Sequence, residues 1–139
     1  MTEHSRTRQT NAPAERVWEI WSDTSTWSSW NPDVASMEPG RRLELGAETT
    51  MHTKAGRHHR MKVVALEPGR GFSLETSPVP LTRFTFTCSI ERAPSGSTIR
   101  QGVKMSGPLG GLMSAMAGNR VAEGFGPILD GLAGAAEKA

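Results

Sequence analysis

Residues 83–91, RFTFTCSIE, alternate strictly between polar and apolar side chains. The apolar members are Phe84, Phe86, Cys88 and Ile90. Because successive side chains of a β-strand point to opposite sides, this alternation predicts a strand with one buried face and one wet face. A sheet built from such strands needs a layer that covers its apolar face.

The same period of two continues through residues 33–106, with turn signals at EPGR, KAGR, EPGRG, SPVP and APSGS. Further strands are predicted near residues 3–10 and in AETTMHTK, HHRMKVVAL, FSLET and TIRQGVKM. Their inward positions are Thr49, Met51, Thr53, His59, Met61, Val63, Phe72, Leu74, Thr76, Ile99, Gln101, Val103 and Met105. For two of these residues the pattern leaves the orientation undecided. His58 is the alternative to His59, and a bulge at Gly102 would turn Gln101 outward.

All four tryptophans lie within residues 18–30. Around them, Val17, Ile20 and Trp21 follow helical spacing, which predicts an amphipathic helix ending near residues 22–23. Pro13 suits its first turn, and Glu15 is expected to accept the Ala12 N–H as the acidic half of a capping box. The segment TSTWSSW then predicts a second short helical turn, which the following Asn-Pro dipeptide ends.

The covering layer is predicted in residues 109–136, a helix whose apolar stripe has two phases. The first phase is Leu109, Leu112, Met113 and Met116, and the second is Val121, Phe125, Ile128, Leu129 and Leu132. Helix-weakening residues lie between the two phases and within the second one, namely Gly118, Gly124, Gly126 and Pro127. The sequence therefore predicts an α+β fold in which a long helix, bent near its middle, lies across a curved antiparallel sheet.

Composition limits the class of protein. A chain of 139 residues fits one domain, residues 1–139, that buries about two thirds of its unfolded surface. Neither an apolar run of about 18 residues nor the hydrophobic region of a signal peptide occurs, so a cytoplasmic protein without an integral membrane segment is predicted. One cysteine excludes an internal disulfide and a multi-cysteine metal site.

The net charge of +2 is unevenly spread, because residues 41–70 hold seven basic and three acidic residues, a local charge of +4. Such a stretch attracts nucleic acid, anionic lipid or an acidic ligand. It contains no interleaved aromatic residue and no nucleic-acid-binding motif. A solvated basic sheet face is therefore expected, and no nucleic-acid partner.

The order of elements resembles the SRPBCC superfamily, which is START/Bet v 1-like, and within it the polyketide cyclase/dehydrase and lipid-transport branch. The matching parts are APAERVWEIWSD, the turn ending WNP, Glu67-Pro68, and LDGLAGAAE near the C-terminus. The resemblance implies a helix-grip fold, with a seven-stranded antiparallel sheet around a long C-terminal helix, two short helices between strands 1 and 2, and an apolar cavity. Members include polyketide cyclases, lipid carriers, hormone receptors and chaperone activators, so the fold alone does not give the function.

Trp18 and Trp21 are expected to pack in the core, and Trp30 at the mouth of the cavity. The predicted ligand-binding residues are Trp30, Met51, His59, Met61, Phe72, Phe84, Phe86, Gln101, Met105, Met113, Met116 and Arg120. Unbranched methionines suit an adaptable pocket wall, although the same residues also suit an ordinary core. Arg120 either meets a ligand carboxylate or extends to water.

No constellation for nucleophilic catalysis, phosphate binding or metal coordination is found, and no cofactor is predicted. Cys88 on the apolar face is expected to be inert. The first hypothesis is therefore a domain that binds a small hydrophobic molecule. The alternatives are a cyclase/dehydrase-type enzyme, with His59 as its acid–base group, and a chaperone-activator-like interaction module with an exposed apolar patch. A homodimer is compatible with the sequence.

Overall fold

The computed structural model describes residues 2–138. Within them, seven antiparallel strands form one sheet in the order β1-β7-β6-β5-β4-β3-β2. The strands are β1 Glu3–Thr10, β2 Val34–Glu38, β3 Glu48–Thr53, β4 His58–Glu67, β5 Gly71–Val79, β6 Thr82–Ala93 and β7 Gly96–Ser106. The predicted helix-grip sheet is confirmed.

Irregularities in strand pairing curve the sheet. The register shifts between Val34 and Ser36 in β2, between Val63 and Ala65 in β4, and beyond Thr76 in β5. Because an extra residue on one strand bends it and increases its twist, these shifts help the sheet to wrap around a helix.

The strands β6 and β7 pair without any shift, from Arg83 opposite Ser106 to Ala93 opposite Gly96. Gly102 therefore makes no bulge, and Gln101 faces inward directly opposite Cys88. The inward alternation predicted for both strands is confirmed.

The tryptophan segment folds as predicted into α1 Ala14–Trp21, a 3₁₀ turn Thr24–Thr26 and α2 Trp27–Trp30. The predicted capping box is wrong. The Ala12 N–H donates instead to the Thr10 hydroxyl, 3.2 Å away, and the Glu15 carboxylate pairs with Arg92. An acceptor two residues earlier already satisfies the Ala12 N–H, which leaves Glu15 free to reach β6.

The C-terminal helix has two parts, α3 Gly110–Glu123 and α4 Phe125–Lys138. The predicted bend is confirmed at Gly124, whose N–H donates to the Val121 carbonyl at 3.1 Å. Pro127 lies in the first turn of α4, where a helix leaves its N–H groups unpaired in any case.

Small residues, not large ones, face the sheet from α3. Its buried positions recur every fourth residue, at Gly110, Ser114, Gly118 and Ala122. A Cβ on Gly118 would overlap the His4 imidazole, so the helix lies too close to β1 for large side chains to fit between them. Polar pairs hold the C-terminal helix against β1: His4–Ser114 at 2.9 Å, Arg6–Asn119 at 3.1 Å, Arg8–Asp130 at 2.9 Å and Thr10–Glu137 at 2.7 Å.

Two clusters of buried side chains form the core. The larger one joins the tryptophan segment, the inner faces of the sheet and α4, while the smaller one lies between β6, β7 and the junction of α3 with α4. In the described residues, no helix combines the length and apolar character that crossing a membrane requires.

Candidate ligand-binding cavity

A cavity of about 850 Å³ lies between the inner face of the sheet and the C-terminal helix. Its sheet wall is Met51, Thr53, His59, Met61, Leu74, Thr76, Phe84, Phe86, Cys88 and Gln101. Trp21, Trp27 and Trp30 close one side, and Val121, Gly124, Phe125 and Ile128 of the helix close another. The mouth is formed by the exposed residues Pro32, Asp33, Lys54, Ala55 and Arg57.

Two indole N–H groups of the tryptophan side, those of Trp27 and Trp30, are already hydrogen-bonded within their own segment. Trp27 Nε1 donates to the Trp21 carbonyl at 3.0 Å, and Trp30 Nε1 donates to the Thr26 hydroxyl at 3.1 Å. These two rings therefore offer a ligand flat apolar surface and no free indole donor.

Phe72 was predicted in the pocket wall, but it is not among the lining residues. It lies behind the wall, where its ring centroid is 5.5 Å from that of Trp21, 6.2 Å from Trp27 and 6.3 Å from Trp18. These aromatic contacts hold the tryptophan segment on the sheet. Trp21, predicted as core, both packs on Phe72 and borders the cavity.

Several of the five methionines Met51, Met61, Met105, Met113 and Met116 are predicted to share one cavity, and Met51 and Met61 line it. Met105 is fully buried in the smaller core cluster, and Met113 packs against that cluster. Met116 is 71% exposed, so its predicted inward orientation is wrong. The cause is the close approach of α3, which turns the large apolar side of the helix to solvent.

Arg120 is exposed on α3 and is not among the lining residues. Of its two predicted orientations, the structure shows the one toward water. Leu112, from the same predicted stripe as Met116, is 57% exposed.

Gln101 is the main polar group on the inner wall. Its side-chain oxygen is buried and has no hydrogen-bond partner in the structure. A buried amide oxygen without a donor is unfavourable by about 1–3 kcal/mol. The amide is thus a group whose hydrogen bonding a ligand can complete.

His59 lines the cavity near its mouth, opposite Met51 in the sheet. Desolvation lowers its pKa below the usual value, and the charges of Arg57 and His58 lower it further. The imidazole is therefore neutral at neutral pH and can accept or donate a hydrogen bond.

Cys88 is buried in the same wall, between Phe86 and Ile90 on the inner face of β6. Burial raises the pKa of its thiol. A thiol that stays protonated is a poor nucleophile, which agrees with the inert role expected from the sequence.

Sequence reasoning missed the charged mouth. Lys54 and Arg57 belong to the basic stretch 41–70, for which a solvated sheet face is predicted, yet both border the cavity. The two basic residues of the KAGR turn were the sequence signal that could have indicated this charged mouth. Across residues 2–138, no group of three or more His, Cys, Asp or Glu side chains is placed to hold a metal ion.

The family model described as "Polyketide cyclase / dehydrase and lipid transport" matches residues 1–137. No curated protein matches the sequence.

Several solved structures share the fold. The protein MLL2253 from Mesorhizobium loti is 16% identical with a TM-score of 0.77, over 99% of this chain and 98% of that one. Ara h 8.0201 is 13% identical with a TM-score of 0.77, over 99% of each chain. DynU16, from the dynemicin biosynthetic locus, is 16% identical with a TM-score of 0.75, over 94% of this chain and 45% of that one. At these identities the likeness shows the fold alone.

Proposed function

The chain belongs to the polyketide cyclase / dehydrase and lipid transport family, and from that membership we propose that it binds a small hydrophobic molecule in the cavity between the sheet and the C-terminal helix. The observation that carries the proposal is the cavity itself. Its volume of about 850 Å³ lies within the range of roughly 300–1,000 Å³ typical of small-molecule sites.

The character of the wall supports a hydrophobic ligand. Aromatic rings and thioethers make up much of it, and the indole N–H groups of Trp27 and Trp30 are already paired. Burying an apolar ligand there is favourable by about 25 cal/mol for each Å² removed from water. The Gln101 amide adds one polar contact, which favours a ligand that carries a hydrogen-bond donor.

Titration with Nile red, a neutral dye that brightens in apolar surroundings, tests the proposal. We expect saturable binding to the wild-type protein. The variant Ile128→Trp places a bulky indole ring in the cavity. It should bind the dye at least about tenfold more weakly, a loss of about 1.4 kcal/mol of binding free energy.

Leu112→Trp is the matched control, because it adds the same ring to the C-terminal helix at an exposed site. It should bind the dye like the wild type, and urea unfolding should show that both variants are folded. Absence of saturable dye binding, or equal binding by Ile128→Trp, would contradict the proposal.

A second candidate is a cyclase/dehydrase-type enzyme, favoured by the place of His59 in the cavity wall. A neutral imidazole there is suited to move a proton, while the wall holds a flexible chain in a reactive conformation. Chromatography of a linear poly-β-ketone thioester after incubation with the protein tests this activity. His59→Gln should abolish turnover and retain Nile red binding, and equal turnover by this variant would eliminate His59 as the acid–base group.

A further inference from the structure

Two basic side chains stand at the mouth of the cavity, both on the hairpin between β3 and β4. Lys54 and Arg57 are exposed and border the opening. In the described part of the chain, neither of them takes part in an ion pair. Among the described residues at the opening, Asp33 is the only acidic one, so the two cations leave a local excess of one positive charge.

The backbone of this hairpin is held in place. Thr53 N–H donates to the Arg57 carbonyl at 2.8 Å, and Arg57 N–H donates to the Thr53 hydroxyl at 3.0 Å. Lys54 N–H donates to the Asp33 carbonyl at 3.0 Å, which fixes the hairpin to the chain that leads into β2. Gly56 takes a φ of +86° at the turn, a conformation that glycine adopts readily. The two basic residues therefore start from fixed backbone positions.

The interior beyond the mouth suits an uncharged group. Phe84, Phe86 and Ile128 line it, and desolvation favours the neutral form of His59. A charged group moved into such surroundings without a partner is strongly disfavoured. A ligand with one charged end is therefore most stable with that end at the mouth.

From this arrangement we propose that the ligand is an amphipathic organic acid, with its anionic group against Lys54 and Arg57 and its apolar body in the cavity. The inference rests on the proposed function and adds the chemical class of the ligand. It also gives two residues of the basic stretch 41–70 a role in binding.

Displacement of Nile red by decanoate and by decanol tests the inference, because the two probes share a chain length and differ in charge. We expect the wild type to bind decanoate more tightly than decanol. In the double variant Lys54→Gln/Arg57→Gln, the preference for the acid should fall about fivefold, because two exposed ion pairs together contribute about 1 kcal/mol. Added salt should weaken the wild-type preference in the same direction.

The control is Arg70→Gln/Lys104→Gln, which removes the same net charge from exposed residues that do not border the cavity. Arg70 lies in the turn at the far end of β4, about 30 Å from the β3–β4 hairpin along the strand. The control should keep the wild-type preference.

The inference is overturned if the wild type shows no preference for decanoate, or if the two double variants lose it equally. In either case the proposed function stands as long as decanol displaces the dye. If Nile red itself does not bind saturably, the proposed function fails and this inference fails with it.

Discussion

Gly131 of α4 lies directly against the backbone carbonyl of Trp30, so close that a Cβ at this position would overlap the carbonyl oxygen. This contact sets how near α4 comes to the tryptophan segment. Trp30 itself and Ile128, which precedes Gly131 in α4, both border the cavity. The missing side chain of one glycine thus helps to determine the shape of the binding site.

Gly131→Ala should destabilise the protein by about 2 kcal/mol, because the new methyl group meets a backbone atom and the packed helix must shift. Gly134→Ala in the same helix is the control, since its Cβ would meet nothing within 4 Å. We expect it to stabilise the protein by about 0.5–1 kcal/mol through helix propensity. Urea unfolding measures both, and equal stability of the two variants would contradict the close contact.

Gln101→Leu should raise the free energy of unfolding by about 1 kcal/mol, because it removes a buried amide oxygen that has no donor. Ser97→Ala is the contrasting change. The Ser97 hydroxyl is equally buried but donates to the Ala12 carbonyl at 2.9 Å, so its loss should cost about 1 kcal/mol. Denaturant midpoints give both values, and a loss of stability in Gln101→Leu would mean that the amide is satisfied in solution.

Acidification should destabilise the protein in part through His59. Its pKa is lowered in the folded state, so the unfolded chain binds the proton more tightly. That part of the stability is complete above the ordinary histidine pKa of about 6.5 and is lost as the pH falls below it. When the pH is lowered from about 7 to about 5, thermal unfolding should show a smaller loss of stability for His59→Gln than for the wild type. An equal loss in the two proteins would contradict this role of His59.

Cys88 should resist thiol reagents while the protein is folded. Burial keeps the thiol protonated and shields it, so modification by iodoacetamide at neutral pH should be slow and should accelerate on unfolding in urea. A cysteine placed at exposed Ser28 in a Cys88→Ser background provides the reactive comparison. Similar rates for the two folded proteins would contradict the burial.

The strands could be predicted from the sequence because β6 and β7 carry large apolar residues on one face only. That pattern gives the face on which a residue lies, but not the structure that covers the face. Met61 and Met105 both point inward, yet Met61 borders the cavity and Met105 lies under the helix junction. The difference depends on where the tryptophan segment and the helix rest on the sheet.

The orientation of α3 was mispredicted because periodicity was judged from its largest side chains. Gly118 and Ser114 face the sheet instead, since His4 of β1 occupies the intervening space. The charged mouth was missed for a related reason. Lys54 borders the cavity from a hairpin whose backbone bonds to Asp33, twenty-one residues earlier in the chain, and no local pattern reports such a contact.

The confinement of every tryptophan to residues 18–30, in a chain without tyrosine, has a spectroscopic consequence. Near-ultraviolet emission from this protein arises almost entirely from one segment, and three of its rings, Trp21, Trp27 and Trp30, line the cavity. The molecule therefore carries a built-in optical reporter at its binding site. A ligand that displaces water from these indoles should shift their emission to shorter wavelength without any added label.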